Sequence, residues 1–87
     1  MDIFNKIESL AKKGYSIEFI SVDQHDNGMD KDISKGLIPA ITYTINVIRL
    51  SDSESIYTES FNHIKEGLLT GIKFTENIIP ANSGDTP

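Results

Sequence analysis

An acidic, polar connection over residues 23–39 separates two strand-like segments in a chain of only 87 residues, and it constrains the fold more than any other feature. It reads Asp-Gln-His-Asp-Asn-Gly-Met-Asp-Lys-Asp-Ile-Ser-Lys-Gly-Leu-Ile-Pro. Connections beyond about 12–15 residues without regular structure are uncommon in compact domains and usually carry function. A domain of this size buries only about 60% of its unfolded surface. It builds a presented surface more readily than a deep cleft, and association with a second copy would enlarge its core. The connection is therefore the first place to look for function.

The segments on either side define the elements. Asp2 can cap a first helix, in which Ile3, Phe4, Ile7, Leu10 and Ala11 recur at helical spacing as one apolar stripe. Lys12 and Lys13 suit the negative end of that helix, and Gly14 suits the position just past it. Tyr15, Ile17 and Phe19 alternate with Ser16 and Glu18 as a half-buried strand. The alternation shifts at Ile20 and Val22, which predicts a bulge or a strand end nearby. Asp30 to Lys35 can form a single helical turn closed by Gly36. Ile41, Tyr43, Ile45 and Val47 alternate with Thr42, Thr44 and Asn46 as a second strand, rich in β-branched and aromatic residues. Ser51 to Ser55 has turn chemistry, and Ile56, Tyr57 and Thr58 form a short third strand of an antiparallel hairpin. Ser60 can cap a last helix whose buried face carries Phe61, Ile64, Leu68 and Ile72. Gly67 and Gly71 share a face of that helix. Glycine there costs about 1 kcal/mol against alanine, so either the helix approaches the sheet closely or Gly71 ends it and residues 72–75 add a strand. The reading preferred is a helix to about residue 75.

These elements predict an α+β fold of order α-β-β-β-α: a three-stranded antiparallel sheet with two helices on one face, as a single domain over residues 1–79. Ser16, Glu18, Thr42, Thr44 and Asn46 would form its open, polar face. The tail over residues 80–87 is polar and is expected to be disordered.

The formal charge is -5, with residues 1–13 at +1 and the remainder at -6. A net negative surface repels phosphate backbones and argues against direct nucleic-acid binding. It suits a basic protein surface, although solubility alone also accounts for a charge of this size. There are no cysteines, which excludes disulfides, thiolate catalysis and cysteine-based zinc sites and fits a cytoplasmic protein. Met1 to Lys6 holds no basic segment leading into an apolar run, and no run approaches membrane-spanning length.

Few residues invite chemistry. Asp23 to Gly28 partly resembles a calcium loop, but His25 stands where an oxygen ligand belongs and Ser34 stands where the bidentate glutamate would be. Asp-Asn-Gly is ordinary turn chemistry. His25 and His63 have no zinc-type spacing. No serine lies in a nucleophile elbow, and no glycine-rich phosphate loop is present. Neither catalysis nor a cofactor is expected. The acidic residues stand out as a set: Asp23, Asp26, Asp30 and Asp32 in the connection, Asp52 and Glu54 in the hairpin turn, and Glu59 and Glu66 beside or within the last helix. Carboxylates spaced over a rigid scaffold can imitate a phosphate track.

Lys12-Lys13-Gly14-Tyr15-Ser16-Ile17-Glu18-Phe19, and Ser51-Asp52-Ser53-Glu54-Ser55 leading to Ser60-Phe61, resemble small acidic phage and prophage proteins. Among these are anti-CRISPR inhibitors of the Cas9 nuclease with an α-β-β-β-α core. The resemblance covers roughly residues 1–75, and this chain departs from it in the insertion at 23–39 and in its lower acidic density. It implies a non-enzymatic phage or mobile-element protein that inhibits a host protein with a basic surface, a nuclease or another nucleic-acid-binding protein, in the host cytoplasm. The expected contact residues are Asp23, Asp26, Met29, Asp30, Asp32, Asp52 and Glu54, with Leu37 and Ile38 as further apolar anchors. HicB-type antitoxins are also similar in their sheet and Ser/Glu-led helix, though they lack the leading helix. The double-stranded-RNA-binding domain shares the element order but starts its last helix with a basic cluster, which Ser60 to Glu66 lacks. The alternative to an inhibitor is a small homo-oligomeric phage assembly module, a homodimer for example, that buries the Thr42 and Thr44 face or pairs edge strands. A second alternative is an antitoxin-like regulator.

Overall fold

The computed structural model describes residues 2–79. Its elements are α1 (Ile3–Lys12), β1 (Tyr15–Asp23), α2 (Asp30–Ser34), β2 (Ile41–Arg49), β3 (Glu54–Phe61) and α3 (Ile64–Ile78). The three strands form one antiparallel sheet in the order β1-β2-β3, and α1 and α3 pack on the same face of it. The α+β class and the α-β-β-β-α order are as the sequence predicts, with α2 added as a single turn inside the connection. The expected tail over 80–87 lies outside the described residues.

Local chemistry sets the boundaries. The Asp2 carboxylate accepts the Asn5 backbone N–H at 2.8 Å and opens α1. Gly14, at φ +102°, ends it in a conformation that residues with a Cβ rarely adopt. β1 and β2 pair without interruption from Tyr15↔Arg49 to Asp23↔Ile41. The bulge expected near Ile20 and Val22 is not there. Both residues lie on the open face of a continuous strand, and the one irregularity falls between β2 and β3 at Val47/Ile48. The third strand is longer than Ile56–Thr58, because pairing with β2 continues to Tyr43↔Phe61. That extension moves Ser60 and Phe61 out of the last helix. Ser60 does not cap α3; its hydroxyl meets that of Thr44 across the strands at 3.2 Å. His63 occupies the cap position without a side-chain bond.

Leu10, Ile17, Ile45, Val47, Leu68 and Ile72 form the buried core, with Ile3, Ile7, Phe61, Ile64 and Phe74 packed around it. Phe4 does not join the α1 stripe toward the core and is 72% exposed. α3 runs through Gly71 to Ile78, so no fourth strand forms. The two glycines are where the helix meets the sheet: a Cβ on Gly67 would lie 2.7 Å from Ile45 Cγ1, and one on Gly71 would lie 3.0 Å from Ile45 Cγ2. Thr75, the buried polar residue of the core, donates its hydroxyl to the Gly71 carbonyl at 2.8 Å.

Candidate functional site

The connection between β1 and β2 is an ordered tip that holds itself together. The hairpin ladder continues one step beyond the strands, with the Gln24 N–H donating to the Ala40 carbonyl at 2.8 Å and the Gln24 side-chain amide donating to Thr42 Oγ1 at 2.8 Å. The Asp23 carboxylate accepts the His25 backbone N–H at 2.9 Å. Successive turns follow, in which Asp26, Asn27 and Gly28 donate to the carbonyls of Asp23, Gln24 and His25, each at 3.1 Å. α2 then ends in a Schellman arrangement, with the Leu37 N–H on the Asp32 carbonyl at 2.9 Å, the Gly36 N–H on the Ile33 carbonyl at 3.0 Å, and Gly36 at φ +74°. No residue of α2 approaches another helix or strand among the described residues. The tip is thus fixed by its own hydrogen bonds and stands clear of the core.

Its surface mixes carboxylates with apolar side chains. Asp26, Met29 and Asp30 are exposed, and Asp23 and Asp32 are half-buried. Met29 is 41% and Leu37 69% exposed, whereas Ile38 is half-buried. Two carboxylates already have partners: Asp23 through the His25 N–H, and Asp30 through His25 Nδ1. The hydrogen bond to Asp30 raises the His25 pKa; desolvation opposes it, and the charges of Asp30, Asp23 and Asp26 each add a smaller increase. Asp26 and Asp32 accept no side-chain hydrogen bond or ion pair from the described residues. A histidine held by a carboxylate is part of a catalytic triad, but no hydroxyl among the described residues bonds to His25. Among those residues no group of three or more His, Asp or Glu could hold a metal ion, and no helix is long and apolar enough to cross a membrane.

The structure does not bring all the predicted acidic residues together. Asp52 and Glu54 sit at the Arg49 end of β2, whereas the tip sits at the Ile41 end. At about 3.3 Å per residue the two groups lie at least about 26 Å apart. The Arg49 guanidinium holds Asp52 at 2.7 and 3.1 Å and reaches Glu54 at 3.4 Å. That pairing lowers the Asp52 pKa. Glu59 accepts the Tyr57 hydroxyl at 2.7 Å, and burial together with this bond pushes the Tyr57 pKa up to about 12.

One surface escapes sequence reasoning. Phe4, Phe19, Ile64 and Leu68 line an apolar groove of about 430 Å³ where the starts of α1 and α3 pass over β1. Periodicity assigns Phe4 and Phe19 to the core, and only the placement of the two helices shows that they remain 72% and 44% exposed. No protein-family model, curated protein or solved structure matches the chain.

Proposed function

We propose that this chain is a non-enzymatic binding protein whose tip, residues 23–39, occupies a basic and partly apolar surface of a partner protein. The observation that carries the reading is that a long connection folds largely on itself, meets the body through Gln24 on Thr42 of β2 while α2 packs against no other described helix or strand, and presents Met29 and Leu37 beside Asp23, Asp26, Asp30 and Asp32. A tip whose helical turn is not packed on the rest of its domain has that surface free for another molecule. Charges supply orientation and association rate, and the two apolar side chains supply the desolvated centre from which affinity comes.

The resemblance to phage-encoded inhibitors makes a nucleic-acid-binding host protein, a nuclease first, the partner class we propose, met in the host cytoplasm. In that reading the tip carboxylates take the place of phosphates. Asp52 and Glu54 would join the same contact only on a groove at least about 26 Å long.

The test removes the tip without touching the sheet. The Gln24 N–H donates to the Ala40 carbonyl, so replacing residues 25–39 by Asn-Gly leaves a two-residue hairpin closed on a position where the ladder is already hydrogen-bonded. The tagged wild-type chain and the shortened chain are used as baits in bacterial lysate, washed through a salt series, and the captured proteins are identified by mass spectrometry. The reading predicts one partner, lost steeply with salt, that the shortened chain no longer holds. A partner kept by the shortened chain would sink it.

A further inference from the structure

We propose that β1 pairs through its outer edge with β1 of a second copy, antiparallel across a two-fold axis at Phe19, giving a continuous six-stranded sheet. This surface is separate from the tip and does not depend on the function proposed for it.

β1 is a nine-residue strand that, among the described residues, pairs on one side only, with β2. It contains no proline, glycine, lysine or bulge, which are the features that ordinarily keep an edge from pairing. The opposite edge of the sheet differs in its irregularity at Val47/Ile48, which interrupts β3; both edges carry two acidic residues, Glu18 and Asp23 on β1 and Glu54 and Glu59 on β3. The backbone direction of β1 follows from its ladder. The Leu50 N–H bonds to the Gly14 carbonyl and the Gln24 N–H to the Ala40 carbonyl, so the even-numbered residues face β2. Ile17, Phe19 and Ser21 therefore turn their N–H and C=O groups to the free edge.

The sequence of β1 is compatible with itself in this register. Phe19 meets its own copy, Ile17 meets Ser21, Ser16 meets Val22, Glu18 meets Ile20, and Tyr15 meets Asp23. No like charges fall opposite one another, and Tyr15 offers a hydroxyl at the end where Asp23 lies. The odd-numbered residues become hydrogen-bonded pairs, which uses the outward N–H and C=O groups of the edge. The pairing also sets the two Phe19 side chains, each 44% exposed in the single chain, against each other on the helix-covered face, beside the grooves that contain Phe4. Six of the 13 acidic residues lie in the tip and the β2–β3 turn, away from the axis, and Glu18 is the one acidic residue beside it.

Sedimentation of the full chain over a concentration series, with three variants, tests the pairing. Ser21→Pro removes an outward N–H and blocks the edge without breaking a bond to β2, and it abolishes the dimer. Ile20→Glu sets a carboxylate opposite Glu18 of the other copy at two symmetric places, and weakens the dimer about tenfold. Ile20 is 53% exposed, and its register neighbour on β2 is the uncharged Thr44, so the domain tolerates this change. The double variant Glu18→Lys/Ile20→Glu sets opposite charges across both pairs and restores the dimer. Amide exchange supplies a readout that does not depend on substitution: the Ile17, Phe19 and Ser21 N–H groups gain protection as concentration rises, while those of Glu18 and Ile20 are protected throughout. A wild-type chain that stays monomeric to its solubility limit overturns the proposal. So does a dimer whose affinity is the same in Ser21→Pro and Ile20→Glu, because it uses another surface.

Discussion

Gly67 and Gly71 show how a single missing Cβ sets the distance between a helix and a sheet. Alanine at either position would gain about 1 kcal/mol of helix propensity, yet at Gly67 its Cβ would lie 2.7 Å from Ile45 Cγ1 and 2.9 Å from Phe61 Cδ1. Ile45 is completely buried and has nowhere to go, so overpacking at about 1–3 kcal/mol outweighs the propensity. Gly67→Ala is expected to lower stability by up to about 2 kcal/mol in urea unfolding. Gly71→Ala meets Ile45 only at 3.0 Å and is expected to be nearly neutral; equal losses at the two sites would contradict this account. His25 offers a second test. Asp30 accepts from its ring and raises its pKa above the ordinary 6.5, so the folded tip holds the proton more tightly than the unfolded chain does. The benefit is fully present below pH 6.5 and is lost as pH rises through the raised value. Asp30→Asn should bring the His25 titration, followed by NMR, back toward the ordinary value. Asp52 has the opposite sign, since Arg49 lowers its pKa. Its contribution is present above the ordinary carboxylate range and fades as pH falls through the lowered value.

At the scale of elements, the tip and the body are separable. α2 packs against no other described helix or strand, and the core of Leu10, Ile17, Ile45, Val47, Leu68 and Ile72 draws no residue from the tip. Closing a shorter loop costs less entropy, about 0.6 kcal/mol for each halving of length. Replacing residues 25–39 by Asn-Gly should therefore leave the melting temperature unchanged or raise it by a few degrees. A cooperative loss of structure would show instead that the tip supports the sheet. The elements were largely legible from local patterns. The Asp2 cap, the Gly14 stop, the alternation along β1 and β2 and the single turn at Asp30–Ser34 each rest on neighbours close in sequence. The extension of β3 beyond Thr58 and the start of α3 were not legible. Ser60-Phe61 resembles a helix start locally, and only pairing with Thr44 and Tyr43 of β2 keeps it in the sheet.

For the whole molecule, the governing quantity is the distance between charges. The tip and the Arg49–Asp52–Glu54 turn lie at opposite ends of β2, at least about 26 Å apart, and the screening length at physiological salt is about 8 Å. They act as independent sites, and the second is largely satisfied within the chain. Asp26→Asn/Asp32→Asn, which leaves the His25 contacts in place, should weaken capture of the tip's partner by about 0.4–2 kcal/mol and flatten its salt dependence. Asp52→Asn/Glu54→Gln should leave that capture unchanged. A titration of immobilised partner with each variant separates the two. Pairing along β1 would set the two tips at opposite ends of one sheet, so a dimer would present two such sites facing apart.

Periodicity, turn chemistry and capping residues are short-range, and they determined the fold class, the order of elements and the acidic, cysteine-free character of the chain. They also marked residues 23–39 as the segment without a place in the core. Which of those acids share a surface was decided only by the tertiary structure, because it depends on the direction in which β2 runs between the tip and the turn. The exposure of Phe4 and Phe19 was decided there as well. An apolar side chain at helical or strand spacing is buried only if another element arrives to cover it, and here α1 and α3 stop short of doing so.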